Sequence, residues 1–173
     1  MVKKIMLGIC GSAAAYEAIR LIRELRKNDI EVYCTLTEDA KKLITVETLE
    51  WASGNKVIEK ISAEVEHIKF LGSSGLCSLF VIAPCSANTI SKIASGIADT
   101  TVTLMALTAL GSKKPLLIAP AMHISLYSNP IIQENLKKLE ELGVILIPPR
   151  IEENKAKFPN VETIVNEILK ILS

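Results

Sequence analysis

Aromatic residues are nearly missing from this chain. Its 173 residues hold three Phe, three Tyr and one Trp, 4% in all. A core must therefore come from Ile, Leu, Val and Ala, and a hydrophobic content of 49% is enough to build one. An excess of either charge is also missing, with 20 Lys+Arg against 19 Asp+Glu. Nucleic-acid binders usually carry a clear basic excess, so no nucleic-acid partner is expected. No stretch approaches the ~20 apolar residues of a membrane span. The opening "MVKKIMLGI" sets two lysines before an apolar run, but the run is too short for a signal peptide and Gly8 interrupts it. A cytoplasmic protein without a membrane partner is expected. The four cysteines, Cys10, Cys34, Cys77 and Cys85, form no C-x-x-C pair. They read as small buried thiols, and no metal site is expected.

Against these shortages stands a regular alternation of apolar runs and helical stripes. "KKIMLGI", "IEVYCTLT", "LFVIAP", "KPLLIAP" and "VILIPP" read as five buried strands. Between them lie helical segments. "AAYEAIRLIRELRK" puts Ala15, Ala18, Ile19, Ile22 and Leu25 on one stripe. "EDAKKLI" and "VETLEWAS" read as short helices closed at Gly54. "SAEVEHIKFL" reads as a helix capped by Ser62, with Glu64 and Glu66 in its first turn. Residues 88–110 read as helix broken near Gly96. "NPIIQENLKKLEELG" has Pro130 at its start and Gly143 past its end, and "VETIVNEILKIL" closes the chain. Near-continuous apolar strands separated by helices predict an α/β fold, a mainly parallel sheet covered on both faces. No domain boundary is visible, so residues 1–173 read as a single domain. The charged stretch "RIEENKAKFP", residues 150–159, is expected to be a loop of doubtful order.

In open α/β sheets ligands bind beyond the carboxyl ends of the strands, and the unusual residues of this chain cluster there. After the first strand, Gly11 and Ser12 open a helix whose backbone N–H groups suit an anion; a tight turn that needs Gly explains them equally well. After the second, Thr37 either caps a helix or faces the same anion. After the third, "PCSANT" crowds Ser86, Asn88 and Thr89 into one turn, more polar groups than capping needs. After the fourth comes "APAMHISLYSNP" with His123, one of only two histidines. The other, His67, sits in "VEHIKF"; on spacing alone it is more often a packed or surface residue than a catalyst. A planar, phosphorylated ligand lying across the sheet edge would use all four strand ends.

Together these segments resemble the homo-oligomeric flavin-containing cysteine decarboxylases, and among them the phosphopantothenoylcysteine decarboxylases. The resemblance runs from Lys3 to about Pro148. "GICGSAAAYEA", "LTEDAKKLITVETLEWASGNKV", "HIKF", "APCSANTISKIASGIADT" and "PAMHISLYSNP" match its motifs in order. It implies a flavodoxin-like, Rossmann-like three-layer sandwich binding FMN. By position, Gly11, Ser12, Ala13, Thr37, Ser86, Ala87, Asn88 and Thr89 would hold FMN. His67 would be the catalytic base, at a pocket shared between subunits. Met122 and His123 would face flavin and substrate. The implied reaction oxidises a thiol acid at the carbon bearing sulfur, after which CO2 leaves to give an enethiol. A homotrimer or homododecamer is implied, and a separate phosphopantothenate–cysteine ligase is a possible partner. The same scaffold also carries pterin- or quinone-reductase-like flavin proteins and flavin prenyltransferases.

Two departures bear on substrate. The family's substrate-contacting Asn is His123 here, which offers an N–H donor to a carboxylate. Many decarboxylases of this group carry a late flap whose cysteine protonates the enethiol, whereas "PPRIEENKAKFPNVETI" has none. Cys10 and Cys85 are candidate substitutes. Arg150, Lys155 and Lys157 either form a basic flap over a substrate phosphate or are solvated surface charge.

Overall fold

In the computed structural model, which describes residues 2–173, five parallel strands form the central sheet. They are β1 (Lys3–Ile9), β2 (Ile30–Leu36), β3 (Leu79–Cys85), β4 (Leu116–Pro120) and β6 (Ile145–Leu146), in the order β2-β1-β3-β4-β6. The helices are α1 (Glu17–Lys27), α2 (Glu38–Lys41), α3 (Val46–Ser53), α4 (Glu66–Leu71), α5 (Ala87–Ala94), α6 (Thr101–Gly111), α7 (Ile124–Tyr127), α8 (Pro130–Glu141) and α9 (Val161–Leu172). A single 3-10 turn, Ala13–Tyr16, leads into α1. None of the described helices is long and apolar enough to cross a membrane.

Successive strand residues point to opposite faces, and here both faces are buried. Ile5, Leu7 and Ile9 of β1 join Leu79 and Val81 of β3 in one cluster, covered by α1, α3 and α9. Met6 of β1 joins Phe80, Ile82, Leu116 and Ile118 in the other, covered by α4, α5, α6 and α8. These are the three layers that continuous apolar strands predict. With aromatics scarce, Phe80 is the largest fully buried side chain. Gly54 (φ +75°) and Gly143 (φ +87°) end α3 and α8 in the left-handed region, as their sequence positions imply.

Three local readings need correction. First, the helix carrying His67 begins at Glu66, not after Ser62. The Glu66 carboxylate accepts the Ser62 N–H (2.8 Å) and hydroxyl (2.6 Å), so Ser62 closes a turn instead of capping a helix. Val65, at φ +46°, joins that turn to α4. Second, the fifth strand keeps only two residues, because Pro148 and Pro149 lack the N–H groups that would extend it. Third, residues 150–159 are ordered structure. They contain a hairpin of β7 (Arg150–Glu152) and β8 (Lys155–Lys157), turning at Glu153 and Asn154, both at positive φ. That is the backbone of a tight two-residue hairpin. Ala156 and Phe158 are buried and anchor it. β8 also pairs antiparallel with β5 (Met122–His123), which follows β4, giving a second sheet β5-β8-β7.

Candidate functional site

The strand ends meet at two adjoining cavities of about 920 and 510 Å³, both walled by Gly11, Ser86 and Asn88. The larger also takes Ser12, Ala13, Ala87, Met122 and His123; the smaller takes Thr37 and Thr89. Every residue singled out at the four strand ends therefore lines one cleft. His67 lines neither cavity. It lies on α4, half-buried, and its Nδ1 is buried with no partner.

The local geometry shows what each polar group does within the chain. Ser12 Oγ donates to the Ala121 carbonyl (3.2 Å), tying the first strand end to the fourth, and accepts the Ala14 N–H (3.3 Å). The Ser12 N–H donates to the Cys10 carbonyl (2.9 Å). The Gly11 and Ala13 N–H groups have no acceptor among the described residues. Thr37 caps α2 by accepting the Ala40 N–H (3.3 Å), and Ser86 caps α5 by accepting the Thr89 N–H (3.3 Å). The buried Thr89 hydroxyl is already engaged, accepting from Cys10 Sγ and Ser86 Oγ, each at 3.3 Å. Asn88 is exposed in the cleft, and its amide has no partner among the described residues. Capping thus explains Thr37 and Ser86, as allowed above, and does not account for Asn88. Replacing Ser86 with Ala should cost about 1 kcal/mol through the lost cap, read as a lowered denaturation midpoint, and should weaken ligand retention in the cleft.

His123 caps α7. Its Nδ1 accepts the Ser125 N–H (3.2 Å) and meets the Ser125 hydroxyl (2.7 Å). A backbone N–H can only donate, so Nδ1 is the acceptor and the neutral ring carries its proton on Nε2. His123 is exposed on the wall of the larger cavity.

The cysteines do not reach the cleft. Cys10 and Cys85 are fully buried and line neither cavity. Hydrogen bonding, first with Cys85, holds the Cys10 thiol below its usual range against the opposing effect of burial. Burial pushes Cys85 well above it. Neither thiol is placed to donate a proton to a ligand there. Arg20 also lines the larger cavity, and the reading of strand ends missed it. The signal was helical spacing: Ala13, Tyr16, Glu17 and Arg20 share one stripe that continues from the first loop.

A doubly wound α/β protein with a cleft across four strand ends, rich in hydroxyl, amide and backbone donors, is a binder of one extended polar ligand. The chain belongs to the Flavoprotein family, whose model it matches over residues 1–173. It is 44% identical over 171 residues to the coenzyme A biosynthesis bifunctional protein CoaBC of Thermococcus kodakarensis, covering 98% of this chain and 42% of that one. It is 39% identical over 152 residues to a probable phosphopantothenoylcysteine decarboxylase of Streptococcus mutans, covering 87% and 84%. Among solved structures it resembles the FMN-dependent cysteine decarboxylase SpaF, with a TM-score of 0.79, 25% identity, and 99% and 98% of the two chains covered. The chain spans about two-fifths of the length of the bifunctional relatives it matches.

Proposed function

We propose that residues 1–173 act as one FMN-dependent domain that decarboxylates a phosphopantothenoylcysteine-like thiol acid in coenzyme A biosynthesis. The observation that carries the reading is the cleft itself, which gathers Gly11, Ser12, Ala13, Thr37, Ser86, Ala87, Asn88 and Thr89 with Met122 and His123. The near-full-length likeness to the Streptococcus mutans decarboxylase supports the substrate class.

The cleft fits FMN. Two joined cavities suit a ring system and a phosphorylated tail, and the Gly11 and Ala13 N–H groups with the Asn88 amide supply donors not used by the chain. FMN, when bound, supplies a hydride acceptor for the carbon bearing sulfur. The chain's own groups do the rest. His123 donates Nε2–H to the substrate carboxylate. Met122, Leu126 and Phe158 wall the larger cavity with apolar surface that keeps water from the carboxylate. His67 takes a proton from the substrate at Nε2, the ring nitrogen left accessible, while Nδ1 is buried within its own chain.

Because His67 lines neither cavity of its own chain, it serves the cleft of a neighbouring copy, in a homotrimer or a homododecamer. Half-exposed Ile68 beside it supports such a contact. The fused relatives support a phosphopantothenate–cysteine ligase as the partner, joined or separate. The reaction's place is the cytoplasm.

The test is CO2 release from phosphopantothenoylcysteine by FMN-loaded protein. FMN uptake without CO2, together with rapid flavin reduction by a nicotinamide donor, would instead establish a redox protein on the same scaffold. The hairpin without cysteine is the observation that favours that second reading. His123→Asn should keep the flavin spectrum and raise KM by up to about tenfold, as a shorter neutral donor replaces the ring N–H. Loss of FMN in that variant would place His123 on the cofactor side of the cleft.

A further inference from the structure

The hairpin of residues 150–157 brings three cations to the larger cavity, and the structure separates them by their partners. Arg150 is committed, its Nε donating to the Phe158 carbonyl (3.1 Å) and its Nη1 meeting Glu152 Oε1 (3.0 Å). Lys157 Nζ meets Glu153 Oε2 (2.9 Å) and Glu152 Oε2 (3.1 Å), and these hydrogen-bonded carboxylates hold its ammonium above the usual lysine range. Lys155 has no carboxylate or carbonyl partner among the described residues, yet lines the cavity. The hairpin's own glutamates thus neutralise two of the three charges and leave one.

The position of that one is fixed by strand pairing. Lys155 stands directly across from His123 in the antiparallel pair of β5 and β8. The Ile124 N–H donates to the Asn154 carbonyl (3.3 Å), so residues 124 and 154 form a hydrogen-bonded pair. His123 and Lys155 therefore form the adjacent non-hydrogen-bonded pair, where side chains share a face and stand closest, with Cβ atoms roughly 5 Å apart. One neighbour offers Nε2–H and the other an ammonium with three donors. A carboxylate between them has an acceptor oxygen for each.

Building on the proposed decarboxylation, we propose that Lys155 and His123 form a two-pronged clamp for the substrate carboxylate, with Lys155 setting the preference for acids over neutral analogues. This assigns Lys155 to the carboxylate and not to the substrate phosphate. Loss of CO2 removes the anion the clamp holds, so the clamp binds substrate better than product and favours product release. Arg20, the other unpartnered cation on the cavity wall, lies on α1 and has no pairing with His123.

The test uses FMN-loaded protein and two unreactive probes: phosphopantothenoylserine, which carries the carboxylate, and the matching ethanolamide, which lacks it. Calorimetry should show the acid bound at least tenfold more tightly. Lys155→Gln should erase most of that preference, Lys155→Arg should restore it, and Arg20→Gln should leave it in place. An unchanged preference in Lys155→Gln, or equal binding of the two probes by the parent, overturns the clamp. So does a Lys155→Gln variant that loses preference for phosphorylated over unphosphorylated acid, or for FMN over riboflavin, since its partner would then be a phosphate. The probes do not react, so the clamp is read separately from decarboxylation. A preserved preference with no CO2 from phosphopantothenoylcysteine leaves the clamp standing and removes the proposed reaction.

Discussion

His67→Asn, loaded with FMN, should release CO2 at least about a hundredfold more slowly than the parent protein while keeping the flavin spectrum. A positioned general base contributes roughly 10²–10⁴ in rate, and His67 lies outside the cavities that hold the cofactor in this reading. The flavin spectrum separates the two parts of the claim. Full turnover by His67→Asn would remove His67 from the chemistry. Loss of flavin together with rate would make it part of the binding wall. Asn keeps a hydrogen-bonding group near the buried Nδ1 position, so the comparison is not dominated by an unfilled space.

Gly11→Ala should show the other large effect, on cofactor binding and on stability together. A Cβ at Gly11 would lie 2.6 Å from Asp39 Cβ and 3.2 Å from the Asp39 carbonyl carbon. Those atoms belong to the first turn of α2, not to the tip of a mobile side chain, so relief requires the helix or the loop to shift. Overpacking of this kind costs about 1–3 kcal/mol. The shift would also move Thr37, whose N–H donates to the Ile9 carbonyl (3.0 Å) one strand away. The expected result is a lower unfolding midpoint and FMN affinity reduced tenfold or more. An unchanged affinity would show that the first loop is not part of the cofactor site.

Where residues repeat a simple period, the sequence predicts the structure well. The apolar runs of β1 and β3 and the stripes of α1 and α9 needed only burial to be read, and the strand-end rule gathered Gly11, Thr37, Ser86 and His123 before any contact was known. The misses have specific causes. The hairpin at residues 150–157 buries only Ala156 within its strands, with Phe158 just after, so its strands carry no apolar run. Its turn was visible only as Asn154, a residue that tolerates positive φ. α4 was extended too far because Ser62 matches a capping residue, while the Glu66 side chain claims it for a turn. Which lysine of the hairpin is uncommitted depends on ion pairs that composition does not encode. The exclusion of His67 from the cleft is likewise a matter of tertiary placement, not of spacing.

The left-handed backbone at Val65 stores strain beside the proposed base. Left-handed conformation costs an L-residue roughly 1–2 kcal/mol, and a β-branched side chain tolerates it poorly. This residue lies two positions before His67, at the start of a helix of only six residues. The fold holds the base on a short support that is strained at its start and anchored at its end, where Phe70 and Leu71 are buried. Selection for thermal tolerance would press toward Gly or Asn at this position, and selection for catalysis would act on how the same turn aims the imidazole. The two pressures meet at one backbone angle.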